Sequence, residues 1–290
     1  MARPIITLTT DFGTADVFVG AMKGVILGIN PDAVIVDLTH EVPPQDVRGG
    51  AYALGAAWGA FPPTAVHVAV IDPGVGTDRL PIVACGPDGT FVGPDNGTLS
   101  HVLARAGAWP AEQAPFVPTS VALPAGWTAF HLTERGYWRE PLSDTFHGRD
   151  IFAPVAAHLS TGVAPNAMGP ALSSVTAFAV PRPVEADGRV EGCVQHVDRY
   201  GNLITNIGRA LLSGVAAGLT VEVGGREVAG LSTSFQGSGP LVAVIGSGGW
   251  LEIAVPNGNA ARELGVGIGD AVVVRLGSMG GRVGQSTPRI

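Results

Sequence analysis

Apolar and polar positions follow two different rhythms along this chain. In the first part, short β-branched runs alternate with longer segments of helical spacing. Ile5–Thr10 reads as a buried strand, and Val17–Ile29 places Val19, Met22, Val25, Ile26 and Ile29 on one helical face. That helix stops at Asn30-Pro31. Ala33–Leu38 predicts a second strand, Val47–Phe61 a helix closed by Pro62-Pro63, and Val66–Ile71 a third strand. Ile82–Cys85 and Thr90–Val92 form a hairpin pattern, Leu99–Ala106 a short helix and Ile151–Leu159 an apolar helix. The segment 110–141, flanked by Trp109 and containing Trp127 and Trp138, is less regular and reads as a partly covering segment.

After Pro181-Arg182-Pro183 the pattern changes to short β runs divided by glycine. These are Arg189–Val197, Leu203–Ile207, Thr220–Val223, Leu241–Ile245, Trp250–Val255 and Ala271–Leu276. The fold class expected is an α/β N-terminal domain with a central, mostly parallel sheet, plus a smaller all-β barrel C-terminal domain. The expected boundaries are residues 1–180 and 189–280, with a linker around 178–188 and a loose tail at Arg282–Ile290.

Composition narrows the function classes. The chain has 290 residues, of which 46% are hydrophobic and 14% charged, against roughly 25% charged in ordinary soluble domains. The 42 glycines and 23 prolines lie among apolar runs and imply turns. A net charge of −7 argues against a dedicated nucleic-acid binder, which needs a basic face for phosphates. Cys85 and Cys193 make no CxxC pair, so neither a disulfide framework nor a zinc site is expected. No apolar run reaches the roughly 18 residues of a membrane span, and the N-terminus lacks a signal-peptide pattern. The expectation is a cytoplasmic protein without a membrane partner.

In an α/β sheet, polar chemistry collects at the carboxyl ends of the strands. Four strand-end loops carry acids here: Asp11, Glu41, Asp72 and Asp95. Acids in loops also serve simply as turn formers. An Asp, an Arg and a His from separate loops, namely Asp72, Arg79 and His147, could position and polarise a water. The neighbouring Arg149 and Asp150 could be a plain surface ion pair. GxxxxGK[ST] is absent, as is GxGxxG after the first strand, where TTDFGT stands instead. An acid there suits the paired hydroxyls of a ribose. GxSxG is absent, leaving Ser247 in a GSGG turn. Asp11, His40, Glu41, Asp72, Asp95 and His147 could gather a metal, but no HxH or HExxH spacing supports this. In Asp198-Arg199-Tyr200-Gly201-Asn202, Tyr200 could stack on a flat ring and Asn202 could meet a base edge; a plain β-turn is the alternative.

Six ordered motifs carry a family resemblance: TTDFGT, DLTHEVPPQDV, IDPGVGT with Arg79, GPDNG, FHGRDIFAP and DRYGNLITNI. Together they resemble the S-adenosyl-L-methionine hydroxide adenosyltransferases, the adenosine-forming S-adenosylmethionine hydrolases related to fluorinase and chlorinase. The resemblance runs from Ile5 to about Leu276. It implies a homotrimer with active sites at subunit interfaces, and hydrolysis of S-adenosyl-L-methionine (SAM) to adenosine and L-methionine by water attack at ribose C5′. SAM is then the substrate, with no cofactor and no metal. The family's Asp-Arg-His set falls on Asp72, Arg79 and His147. Asp11 falls at the ribose, Asn202 at the adenine and Tyr200 at the stacking position. Asp198 and Ser247 fall near the methionine amine, and the backbone around Gly248 and Trp250 faces its carboxylate.

The departures distinguish subfamilies. Halogenases carry Tyr in place of Asp72, and the fluorinase carries Ser in place of Gly148 and Trp in place of the substrate-binding Gln45. The fluorinase also has a longer loop where Gly86-Pro87-Asp88-Gly89 makes a short turn here. VPNGNAA, residues 255–261, matches the adenine-binding loop loosely. A carboxylate at position 72 repels a halide yet accepts a hydrogen bond from water. The competing functions are a SAM-dependent halogenase, a non-catalytic nucleoside-binding or sensing protein, and a metal-dependent hydrolase.

Overall fold

The computed structural model describes residues 3–108, 114–213, 218–236 and 239–277; Trp109 and the expected tail at 282–290 lie outside them. The chain divides into two compact units, Met1–Val180 and Pro181–Ile290.

The first unit runs β1 (Ile5–Thr10), α1 (Phe18–Ile29), β2 (Val34–Thr39), α2 (Val47–Ala57), β3 (Val66–Val70), β4 (Pro81–Gly86), β5 (Gly89–Pro94) and α3 (Ser100–Arg105). It continues with β6 (Pro118–Ala122), β7 (Thr128–His131), α4 (Ala153–Ser160), β8 (Ala171–Leu172) and β9 (Ser174–Phe178). Its main sheet has the order β2-β1-β3-β5-β4-β7-β8. The first four strands in that order are mutually parallel, and antiparallel pairings extend the sheet beyond β5. β3 is buried along its whole length, as a central strand covered on both faces must be. Val19, Met22 and Ile26 turn one face of α1 inward, and Met22 and Ile26 pack with Leu8, Val68 and Phe152 in a common core. A fully buried Leu or Ile of this kind contributes about 1.5–3 kcal/mol.

Two expectations change here. The segment 110–141 is not wholly irregular: β7 joins the main sheet against β4, and β6 pairs with β9. The helix expected over 151–159 is preceded by a wider turn, Gly148–Phe152, of the π type. Pro154 explains the change. It has no N–H to offer the Asp150 carbonyl one helical turn back, and the Arg139 N–H occupies that carbonyl at 2.8 Å.

The second unit comprises β10 (Val184–Ala186), β11 (Arg189–Val197), β12 (Leu203–Gly208), β13 (Thr220–Val223), β14 (Arg226–Ala229), β15 (Val242–Ile245), β16 (Trp250–Ala254), α5 (Ala260–Leu264) and β17 (Ala271–Arg275). The strands form one antiparallel sheet, β14-β13-β17-β11-β12-β16-β15, with β10 added on β11. β11 pairs with β17 through its first half and with β12 through its second, so the sheet curls toward a barrel. Val190, Val194, Leu203, Ile207, Leu251 and Ile253 fill its interior. Both described cysteines are free thiols.

Candidate active site

In the first unit the residues at the carboxyl ends of the parallel strands face specific partners. Asp72 follows β3 and Ile71, whose carbonyl accepts the Asn96 side-chain amide at 2.8 Å. The loop beyond it is a tight double turn, with Val75 N–H donating to the Asp72 carbonyl and Thr77 N–H to that of Gly74. Gly76 has φ +77°, and a Cβ there would stand 2.6 Å from the Asp144 carbonyl oxygen. Only glycine lets this loop lie against the segment that carries His147.

The loop returns Arg79 onto Asp72. Arg79 Nε donates to Asp72 Oδ1 at 2.9 Å, and Nη2 donates to Oδ2 in a two-pronged pair. The same Nη2 lies 2.8 Å from His147 Nδ1. A guanidinium has no lone pair to offer, so Nδ1 is the acceptor and the ring proton sits on Nε2. Burial, then the positive charge of Arg79, lowers the pKa of His147 against the opposing pull of Asp72, Asp150 and Asp144. The imidazole is therefore neutral near pH 7, in one defined tautomer. Asp72 and Arg79 side chains are only 5% and 9% exposed, and the guanidinium also lies over the Phe152 ring at 5.3 Å. A cavity of about 320 Å³ reaches Arg79 and His147 and is walled by Thr77, His131, Trp138 and Leu142.

His147 is anchored from behind. Asp150 is fully buried rather than half of a surface ion pair. It receives Arg149 through two bonds, Arg139 at 3.3 Å and the Ser143 N–H at 2.9 Å. Burial alone would raise its carboxyl pKa, but these donors outweigh that and lower it. Gly148 is packed so closely that a Cβ would meet Phe12 at 3.2 Å and Met22 Sδ at 3.3 Å. A serine here would have to push both aside.

Asp11 leaves β1 and accepts the Gln45 backbone N–H at 2.7 Å; Gln45 itself has φ +67°. Gln45 thus meets Asp11 through its backbone, while its side chain is exposed. The other expected acids do not converge with Asp72. Asp95 accepts the Thr176 N–H at 2.6 Å, Glu41 accepts the Thr14 hydroxyl at 3.3 Å, and His40 faces Asp37. Among the described residues no three His, Cys, Asp or Glu side chains are grouped to hold a metal.

In the second unit Asp198 closes its own turn. Its Oδ1 accepts the N–H groups of Tyr200 and Asn202, each at 2.9 Å, and Oδ2 accepts the Asn202 side-chain amide at 2.9 Å. The Asn202 side-chain carbonyl is left as an acceptor, and Tyr200 projects outward, 76% exposed. Ser247 and Gly248 sit at the exposed tip of the β15–β16 turn, closed by a Gly246 N–H bond to the Trp250 carbonyl at 2.9 Å. Sequence reasoning missed Glu252, an acid inside the apolar run WLEIAV and only 9% exposed. Burial, with the charge of Asp198 adding to it, raises its carboxyl pKa. An acid in such a run was the available signal.

Comparison with known proteins is consistent across both units. Residues 6–169 match the SAM hydroxide adenosyltransferase N-terminal domain, and residues 192–273 match the C-terminal domain. The chain is 40% identical over 279 residues to an (R)-S-adenosyl-L-methionine hydrolase of Salinispora tropica, covering 94% of this chain and 98% of that one. It is 41% identical over 267 residues to the protein of the same name from Thermus thermophilus, covering 91% and 96%. A fluorinase of an Actinoplanes species is more distant, at 30% over 248 residues, covering 76% and 77%. A crystal structure of an uncharacterized conserved protein from Thermotoga maritima superposes with a TM-score of 0.81 at 37% identity, covering 93% of this chain and 99% of that one. With both domains matched in order and hydrolases of this kind aligned over nearly its full length, the chain belongs to the SAM hydroxide adenosyltransferase family.

Proposed function

We propose that this protein hydrolyses S-adenosyl-L-methionine to adenosine and L-methionine, with water attacking ribose C5′. The observation that carries this reading is the closed set of contacts among Asp72, Arg79 and His147, in a chain of this family. The hydrolase relatives are named for the (R) form of the substrate, and we extend that configuration at sulfur to this chain.

The roles follow from donor and acceptor geometry. His147 spends its Nδ1 lone pair on Arg79, so it offers only an Nε2–H. It orients the oxygen of a water and does not take its proton. Asp72 holds both oxygens on Arg79, but each keeps a further lone pair for a water hydrogen. Neutral water is a weak nucleophile, so positioning supplies much of the rate. As the C5′–O bond forms, the C5′–S bond breaks and its electron pair neutralises the sulfonium. The attacking oxygen becomes acidic during that step, and its proton passes to Asp72 and then to solvent. A carboxylate suffices because the proton leaves late.

Substrate binding is divided between the two units. Asp11 accepts the ribose hydroxyls beside the Gln45 backbone. Asn202 meets the adenine edge and Tyr200 stacks on its ring. Asp198 and Ser247 receive the methionine amine, and the backbone at Gly248 and Trp250 faces the carboxylate. Following the family resemblance, we assign these two sets to neighbouring copies in a homotrimer.

The test is incubation with SAM in halide-free buffer containing EDTA, with products separated by chromatography. Equal adenosine and methionine are expected. Activity that appears only with chloride or fluoride would indicate a halogenase. Activity that appears only with a divalent cation would indicate a metal-dependent enzyme. Nucleoside binding without turnover would indicate a sensing protein. Mixing Asp72→Ala and Asn202→Ala subunits tests the shared site: partial recovery of activity is expected, and none would contradict it.

A further inference from the structure

The motif DLTHE contributes His40, which the reaction described above does not use. His40 is 4% exposed and lies just beyond β2. A register shift places it there. Leu8 pairs with Asp37 but Thr9 pairs with Thr39, so Leu38 is an extra residue on β2. Such a bulge reverses which face the following residues present. His40 consequently comes beside Thr10, the last residue of β1 and fully buried.

The contacts then run in one direction. Lys23 Nζ, on the chain's single lysine, is 2.6 Å from Asp37 Oδ2, and His40 Nε2 is 3.0 Å from Asp37 Oδ1. Burial alone would raise the Asp37 carboxyl, but Lys23 and His40 outweigh that and lower it. His40 Nε2 makes no well-directed hydrogen bond, but the ionised Asp37 carboxylate beside it disfavours a bare lone pair there, so the His40 proton sits on Nε2. His40 Nδ1, 2.8 Å from Thr10 Oγ1, is left to accept the Thr10 hydroxyl hydrogen. Thr10 Oγ1 in turn accepts the Phe12 N–H at 3.3 Å. On the far side of Asp11, the Gly13 N–H donates to the His40 carbonyl at 2.8 Å. One residue thus ties down both flanks of Asp11.

We infer that His40 is a positioning residue that sets the Asp11 carboxylate for the two ribose hydroxyls, acting through Thr10 and Gly13. This rests on the reading of Asp11 as the ribose contact. It makes nucleoside affinity, and not the chemical step, the quantity His40 controls.

The experiment compares Thr10→Val, His40→Leu, His40→Asn and Asp11→Ala. It reads adenosine and methionine dissociation constants by calorimetry, steady-state KM and kcat for SAM, and Tm. His40→Leu and Thr10→Val should each weaken adenosine about tenfold, move methionine less than twofold, and raise KM more than they lower kcat. Together they should weaken adenosine no more than either alone. His40→Asn, whose Oδ1 takes the place of Nδ1, should recover most of the affinity. Unchanged adenosine binding in Thr10→Val and His40→Leu, with Asp11→Ala weakened, overturns the role of His40 and leaves the ribose contact standing. Unchanged binding in Asp11→Ala removes the ribose contact itself. Equal losses of adenosine and methionine affinity with a lowered Tm would make His40 merely structural. If His40→Leu does not fold, Thr10→Val, which loses only a hydroxyl, decides.

Discussion

The two units present their candidate chemistry in opposite ways. In the first, Asp72, Arg79 and His147 come from positions up to 75 apart in sequence and hold one another by direct side-chain contacts. In the second, Asp198, Tyr200 and Asn202 fall within one turn that its own acid closes. Geometry held by the long-range fold suits a reacting centre, which tolerates little displacement. A local turn with an outward-facing ring suits recognition, where the ligand completes the contacts.

The largest effect should come from breaking the long-range set. Asp72→Asn keeps the shape but removes the proton acceptor. It should lower kcat about a hundred- to ten-thousand-fold. It should lower Tm as well, because the Asn amide leaves the buried Arg79 guanidinium without its counter-charge, so turnover is read below the variant's own Tm. Near wild-type turnover would remove Asp72 from the reaction.

A second long-range contact in the first unit should appear as acid sensitivity. His67 is fully buried, 2.8 Å from Thr7 Oγ1, and burial lowers its pKa to about 4. An unfolded histidine titrates near 6.5. Between those values the unfolded chain holds the extra proton, so stability falls as pH drops from about 6.5 to 4. The loss is about 3 kcal/mol at the acid end. His67→Gln should flatten that limb of a stability–pH profile, and an unaltered slope would contradict the assignment.

Asp198→Ala removes an acceptor from three bonds and should cost about 2 kcal/mol of unfolding free energy. Denaturant titration reads it. A loss confined to substrate affinity would show that the turn holds without its acid. The smallest stability effect belongs to Tyr200→Ala. Its exposed ring supports nothing in the fold, so Tm should stay within about 1 °C. Adenosine should bind roughly tenfold more weakly. A large fall in Tm would mean that Tyr200 packs in the protein.

What the sequence revealed follows the same division. Arg189–Val197 and Thr220–Val223 are strands with the predicted bounds, because alternation and flanking glycines mark them locally. The motifs also placed Asp72, Arg79 and His147 as a set, though not that Nδ1 would be the acceptor. That detail depends on a contact across 68 residues. β7 was hidden by the turn residues around it, since its partner β4 lies far back in the chain. The π turn at Gly148–Phe152 needed Arg139 to occupy the carbonyl that Pro154 leaves free. Asp150 looked like surface for a related reason. Its burial and its Arg139 and Ser143 donors come from a segment that carries no regular pattern.

The most direct measurement is turnover of SAM in oxygen-18-labelled water, with mass analysis of both products. The account predicts one labelled oxygen in adenosine, at the 5′ position, and unlabelled methionine, with labelled adenosine forming far more slowly in Asp72→Asn. Adenosine without label, a 5′-halogenated product, or wild-type turnover by the Asp72→Asn variant would contradict it.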